Sequence, residues 1–188
     1  MKRAGTLFLP VFLCNPSPTP ARTGLQIKCS PSVVRAAIVP IIFREETDIV
    51  APAKYFPVTN ENLAEVYEFV FAPWVKGLGL CDLSVSPGRA TGRLPQNPAL
   101  NFSSGAVCGQ VIMAAVDTVV SLAIFTSDRP TKGTIYQHTH FLRPALNDEF
   151  IIEAHVLRFG KATAFAEARV MFASSRELVA HASAEFAF

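Results

Sequence analysis

A single carboxylate, Asp117, stands in the middle of an apolar run, VCGQVIMAAVDTVVSLAIF, from Val107 to Phe125. Nearly all the other side chains there are aliphatic or aromatic, and a helix apolar on nearly every face is buried on nearly every face. A carboxylate in such a place loses its water, so it must find partners or carry a raised pKa. Perturbed carboxylates gather at working sites, although caps and structural ion pairs perturb them too. At 100° per residue, Gln110 falls within about 20° of Asp117, and Ser121 lies about 40° further round. Apart from Thr118, these are the helix's other polar positions. Ser103, Ser104 and Gly105 mark a helix start by their cap and turn chemistry, which puts Cys108 and Gly109 in the first turn. Backbone N–H groups there lack partners, and the helix dipole favours negative charge. Gly109 has no side chain, so a ligand oxygen can approach its N–H closely, as an oxyanion or polarised carbonyl requires.

Cys108 supports two readings. A thiol in the first turn of a helix is a candidate nucleophile, since the dipole favours the thiolate. It is also a small apolar filler, because free cysteine is among the most buried residue types. The four cysteines, Cys14, Cys29, Cys81 and Cys108, show neither CxxC spacing nor a disulfide framework, and they fit reduced thiols in a cytoplasmic protein. His138 and His140 share one face of a strand with Tyr136, and no carboxylate follows in register, so a solvated or interface face is expected there and no metal. The apolar run is long enough to approach a membrane span. A central Asp costs roughly 2.5–3.5 kcal/mol on insertion, however, and no Lys or Arg cluster flanks the run, so a core helix is expected.

The elements that must position these groups follow the helix. Gly133–Arg143, Glu149–Phe159, Ala162–Phe172 and Leu178–Phe188 read as four strands with a period of two, separated by turns at Gly160-Lys161 and Ser174–Arg176. Ala162, Ala164, Ala166 and Ala168 form a small-residue stripe, which suits a sheet face on which a helix lies closely. Upstream, Leu80–Val85 and Arg89–Leu94 form a hairpin around Ser86-Pro87-Gly88. A short helix over LAEVYEFVFAPW precedes it, ending at Pro73, with Trp74 and nearby Phe side chains suited to an apolar ligand. The expected class is α+β, an antiparallel sheet wrapped on one long buried helix.

The stretches GAVCGQVIMAAVDTVVSLAI, GTIYQHTHFLRPA and EAHVLRFGKATAFAEARV resemble the hotdog-fold acyl-CoA thioesterases, most closely the phenylacetyl-CoA thioesterase-like branch. The resemblance runs from about Gly77 to the C-terminus. It implies hydrolysis of an acyl-CoA thioester, with Gly109 N–H polarising the carbonyl and Asp117 as general base or direct nucleophile. Ser121 and Thr134 match hydroxyls that branches of the family place beside the attacking water. Arg143, Arg158, Gly160 and Lys161 are the candidates for holding the CoA moiety, each with an ordinary strand-end or turn residue as the plain alternative. The chain departs from the family pattern in three places. Cys108 replaces a His, Gln110 replaces a second Gly, and the amide position falls on Phe102, one residue from Asn101.

Gly109 and Asp117 are eight residues apart, about 12 Å along a helix axis, too far to act on one carbonyl within one subunit. The resemblance implies the remedy, a symmetric homodimer with shared sites, alone or paired into a homotetramer. No cofactor is expected beyond coenzyme A as part of the substrate. Two other classes stay open. One is a non-catalytic acyl-CoA-binding module, which the lost His and amide favour. The other is an acyl-thioester dehydratase or hydratase, which the lack of a His near the helix disfavours.

Residues 1–50 read as a separate basic, Pro-rich extension and residues 51–188 as one domain. Through Arg44 there are six basic residues and no acidic one, whereas the remainder has 11 basic and 15 acidic. The net charge of +2 therefore gives no argument for a nucleic-acid partner. The acid-free head resembles an organelle transit segment about as well as a weak signal peptide, leaving the cytoplasm as the default location.

Overall fold

The computed structural model describes residues 55–188. The boundary expected between residues 50 and 51, the basic extension, Cys14 and Cys29 lie outside the described residues. The chain enters through helix α1 (Leu63–Val70) and the short helix α2 (Pro73–Lys76), then strands β1 (Cys81–Ser86) and β2 (Arg89–Leu94). Helix α3 (Gly109–Ile124) follows, then β3 (Gly133–Phe141), β4 (Phe150–Phe159), β5 (Thr163–Phe172) and β6 (Leu178–Ala187). The expected short helix thus divides: Phe71 breaks it, and Pro73, which cannot continue a helix, starts the next at its first position.

All six strands join one antiparallel sheet in the order β1-β2-β4-β5-β6-β3. The alternation read from sequence sets its inner face. Phe150, Ile152, Ala154 and Val156 of β4 are buried, as are Ala164, Ala166, Ala168 and Val170 of β5 and Ala180, Ala182, Ala184 and Phe186 of β6. The alanines leave room for α3, which packs chiefly on β4, β2 and β5. The four histidines of the chain, His138, His140, His155 and His181, stand on strands of the sheet, and none is buried.

The two edges of the sheet differ. At β1, the Asn60 side chain donates to the Val85 carbonyl at 3.1 Å and accepts from its N–H at 2.8 Å, closing that edge with a side-chain amide. At β3 no further strand pairs among the described residues. That edge carries Ile135 and Tyr136, 55% and 51% exposed. An edge left open in this way is a template for pairing with another chain.

Candidate functional site

Helix α3 begins two residues later than its sequence suggests. Its N-cap is Cys108, and Gly109 is the first helical residue. Ser103 and Ser104 belong to a tight loop instead, in which Phe102 N–H reaches the Ala106 carbonyl and Gly105 adopts φ 86°. The loop is pinned on both sides: Val107 N–H donates to Ala145 and Cys108 N–H to Leu100. The N–H of the first helical residue has no partner within a helix, so Gly109 offers a free donor at the positive end of the dipole. A side chain here would crowd the Phe141 ring, since a Cβ would lie 3.2 Å from its Cζ. A cavity of about 380 Å³ opens beside Gly109, walled by Phe102, Ile112, Phe141 and Arg143.

Cys108 does not cap the helix with its side chain. Its thiol donates instead to the Gln110 Oε1 two residues on. Two of the departures from the family pattern are therefore bonded to each other. Asn101, beside the amide position, pairs through its backbone with Val107, and its side-chain oxygen is buried without a partner.

Burial of α3 is less complete than an all-apolar run implies. Every residue from Ala115 to Ile124 is buried except Asp117, but Gln110 and Met113 are exposed and Ala114 half-buried. These positions and Asp117, at i, i+3, i+4 and i+7, leave one open flank. Asp117 is half-buried, and its Oδ1 accepts a 2.8 Å bond from the Thr134 hydroxyl. Burial pushes the Asp117 pKa above the ordinary carboxylate value, and the Thr134 bond works against that rise by favouring the charged form.

A local break in β3 makes this bond geometrically available. Gln137 and Thr139 face α3, as the bond from Gln137 Nε2 to the Met113 carbonyl shows. Strict alternation would put Thr134 on the opposite face with Tyr136 and His138. The pairing with β6 shifts between Thr134 and Tyr136, however, so Ile135 is an extra residue and Thr134 turns inward.

Ser121 lies one turn beyond Asp117 and is 6% exposed. It lines a second cavity of about 180 Å³ together with Thr134, Phe56, Val70, Phe125 and Phe186. The aromatic walls expected from Trp74 come from these residues instead, and Trp74 is 66% exposed. Phe56 has no sequence signal of its own. It is placed by an edge-to-face contact with Phe125 and by the Val58 N–H bond to the Phe125 carbonyl.

The structure separates the four residues expected at a CoA moiety. Arg143 follows β3 at the Gly109 end, where its Nε pairs with Glu177 at 2.7 Å and its Nη1 donates to the Leu178 carbonyl. Arg158, near the end of β4, and Gly160 and Lys161, in the β4–β5 turn, lie at the opposite end of the sheet, near Ala187 and Phe188. Gly160 has a local reason to be glycine: a Cβ would meet the Thr163 carbonyl oxygen at 2.7 Å. His138 and His140 stack edge to face at 4.1 Å. Among the described residues, no three His, Cys, Asp or Glu side chains gather in metal-binding geometry, and no helix is long and apolar enough to cross a membrane.

Residues 104–179 match the family model described as the thioesterase superfamily. No curated protein matches the chain. Among solved structures, a conserved protein from Pseudomonas aeruginosa is 27% identical with a TM-score of 0.58, covering 62% of this chain and 94% of that one. Thioesterase superfamily member 2 from zebrafish is 20% identical with a TM-score of 0.63, covering 69% and 98%. The PaaI protein of the Escherichia coli phenylacetic acid degradation operon is 20% identical with a TM-score of 0.59, covering 68% and 90%. Residues 104–179 are thus similar to the thioesterase superfamily, and the six-stranded sheet wrapped on α3 is the hotdog fold.

Proposed function

We propose that this domain hydrolyses an acyl-CoA thioester to the free acid and CoA, in sites shared by two copies of the chain. The observation that carries the reading is Asp117: a half-buried carboxylate with a raised pKa, held by Thr134, on the open flank of an otherwise buried helix. A carboxylate placed in this way is a general base poised nearer neutral pH than a solvated one.

Gly109 and Asp117 lie on one helix about 12 Å apart, so a single thioester cannot reach both within one chain. The β3 edge, which no strand pairs among the described residues, and the exposed Gln110 and Met113 would give a second copy a surface to cover. An antiparallel arrangement of two α3 helices would then bring the Gly109 of one to the Asp117 of the other. A homotetramer would pair two such dimers.

In the reaction, Gly109 N–H receives the charge that develops on the carbonyl oxygen. Asp117 takes a proton from a water, which Ser121 and Thr134 hold through their hydroxyls. The water oxygen bonds to the carbonyl carbon, the C–S bond breaks, and Asp117 returns the proton to the departing sulfur. Direct attack by Asp117 would pass through a mixed anhydride instead, and water would then cleave it. Cys108 serves as filler at the mouth of the helix, because its thiol is engaged as a donor to Gln110. Arg143 would meet the CoA phosphates, a role supported by its position in the wall of the Gly109 cavity. Arg158, Gly160 and Lys161 enter the site only through the second copy. CoA arrives as part of the substrate, and no separate cofactor is invoked.

The test is release of free thiol from a panel of acyl-CoAs by the wild type and by Asp117→Asn. Turnover that Asp117→Asn abolishes supports the reading. Acyl-CoA binding without any thiol release would leave a binding module in its place, as the Cys108–Gln110 substitution of the helix mouth would favour.

A further inference from the structure

We infer that the acyl group accepted here is short, of at most about six carbons, and that Phe56 sets the limit by closing the far end of the pocket beside Asp117. The inference rests on the thioesterase reading of the same site.

Thr134 and Ser121 are the lining residues of the pocket nearest Asp117. Thr134 binds Asp117 directly, which places this end of the pocket where the acyl carbon must lie. Ser121 follows Asp117 by one helical turn, and Phe125 follows Ser121 by another, so the pocket runs along α3 away from the acid. Its far side is aromatic. Phe125 meets the Phe56 ring at 5.5 Å in an edge-to-face contact, Phe186 and Val70 extend this apolar wall, and Thr131, Lys132 and Gly133 line the remainder. Val58 N–H, two residues beyond Phe56, donates to the Phe125 carbonyl at 2.8 Å, so the ring is carried on backbone fastened to the end of α3. Phe56 therefore acts as a fixed stop.

The space is about 180 Å³. A dry apolar cavity of about 150 Å³ takes a molecule the size of benzene, which gives the scale. A longer chain would have to displace Phe56 or leave its outer methylenes without the pocket's apolar contacts, and a methylene's worth of misfit in a hydrophobic pocket costs roughly tenfold or more in kcat/KM.

The experiment measures kcat/KM of the full chain with butanoyl-, hexanoyl- and dodecanoyl-CoA, and repeats it with Phe56→Ala. The wild type is expected to favour hexanoyl over dodecanoyl by roughly tenfold or more, and Phe56→Ala to shrink that ratio by about the same factor. A wild-type ratio near one overturns the inference, as does an unchanged ratio in a Phe56→Ala protein that melts like the wild type. If Phe56→Ala fails to fold, Phe56→Leu gives the same readout with an apolar side chain retained. Absence of hydrolysis for every acyl-CoA would instead defeat the thioesterase reading. The pocket is then read by the affinity of the non-cleavable thioethers S-hexyl-CoA and S-dodecyl-CoA. Tighter S-hexyl binding supports the length limit, and tighter S-dodecyl binding overturns it.

Discussion

The Thr134 hydroxyl reaches Asp117 at 2.8 Å because β3 carries one extra residue, Ile135, next to it. The bond joins the second residue of an edge strand to the middle of the buried helix. It also sets the balance at the acid: burial raises the Asp117 pKa, and this one donor lowers it. Among the described residues no strand pairs with the outer side of β3, and in the proposed dimer the residue that tunes the acid would belong to the covered surface.

Asp117→Asn is expected to fold and to lose at least about a hundredfold in kcat, the scale of a positioned general base. The variant should also be more stable than the wild type at neutral pH. A raised native pKa means that the folded state holds its proton more tightly than the unfolded chain. Below the unfolded value both forms are protonated and the group is neutral to stability. As pH rises past it, the wild type bears a charge it solvates poorly, and stability falls. Melting curves should therefore show an advantage for Asp117→Asn at pH 7 that shrinks as pH falls toward about 4. Equal melting at both pH values would remove the burial argument.

Thr134→Val deletes the one bond that favours the charged form of Asp117. The Asp117 pKa should rise further, and the acidic limb of the kcat/KM profile should move to higher pH. The variant should lose more activity at pH 6 than at pH 8, with turnover at its own optimum reduced by about tenfold or more if the hydroxyl also holds the water. A profile shifted toward lower pH would contradict the assigned direction.

Gly109→Pro removes the N–H at a helix position that tolerates proline, although the Phe141 ring must yield slightly. Gly109→Ala imposes a comparable crowding and keeps the N–H, so it separates the two effects. Each of Gly109→Pro and Asp117→Asn should be inactive alone. Mixed and refolded together, they should regain activity, because a mixed dimer contains one intact site. No recovery on mixing, with mixed dimers verified by mass spectrometry, would place each site within one chain.

Cys108→Ala should retain most of the activity, since the thiol's partner is Gln110 rather than a base. Gln110 is exposed and can take water in its place. Acyl-Cys108 trapped during turnover and found by mass spectrometry would make the thiol the nucleophile.

Gly160→Ala should destabilise the fold by about 1–3 kcal/mol, the usual cost of forcing a methyl into filled space, because its Cβ meets the Thr163 carbonyl oxygen. The melting temperature should fall while KM for acyl-CoA stays close to that of the wild type. A large rise in KM with unchanged melting would assign Gly160 to the CoA moiety.

The sequence by itself determined the elements. Alternation of apolar residues is a local signal with a period of two, so β4, β5 and β6 were legible to within a residue, and the long helix around Asp117 was legible apart from its start. The singular carboxylate in that helix was equally plain, because a lone charge among apolar side chains contrasts with its neighbours. What the sequence could not determine depends on pairing and on through-space packing. The inward turn of Thr134 follows from the register of β3 against β6, and a one-residue slip in register exchanges the faces of a strand. The resemblance supplied Thr134, and the pleat alone would have pointed it away from Asp117. The open flank of α3 at Gln110, Met113 and Asp117 appears only once the sheet has been wrapped and its edge found to stop at β3. Phe56 is distant from Phe125 in sequence and unmarked by any pattern, and only tertiary packing made it the end of a pocket. The same packing separated Arg143 from Arg158 and Lys161, since strand ends adjacent in function on paper lie at opposite ends of an antiparallel sheet.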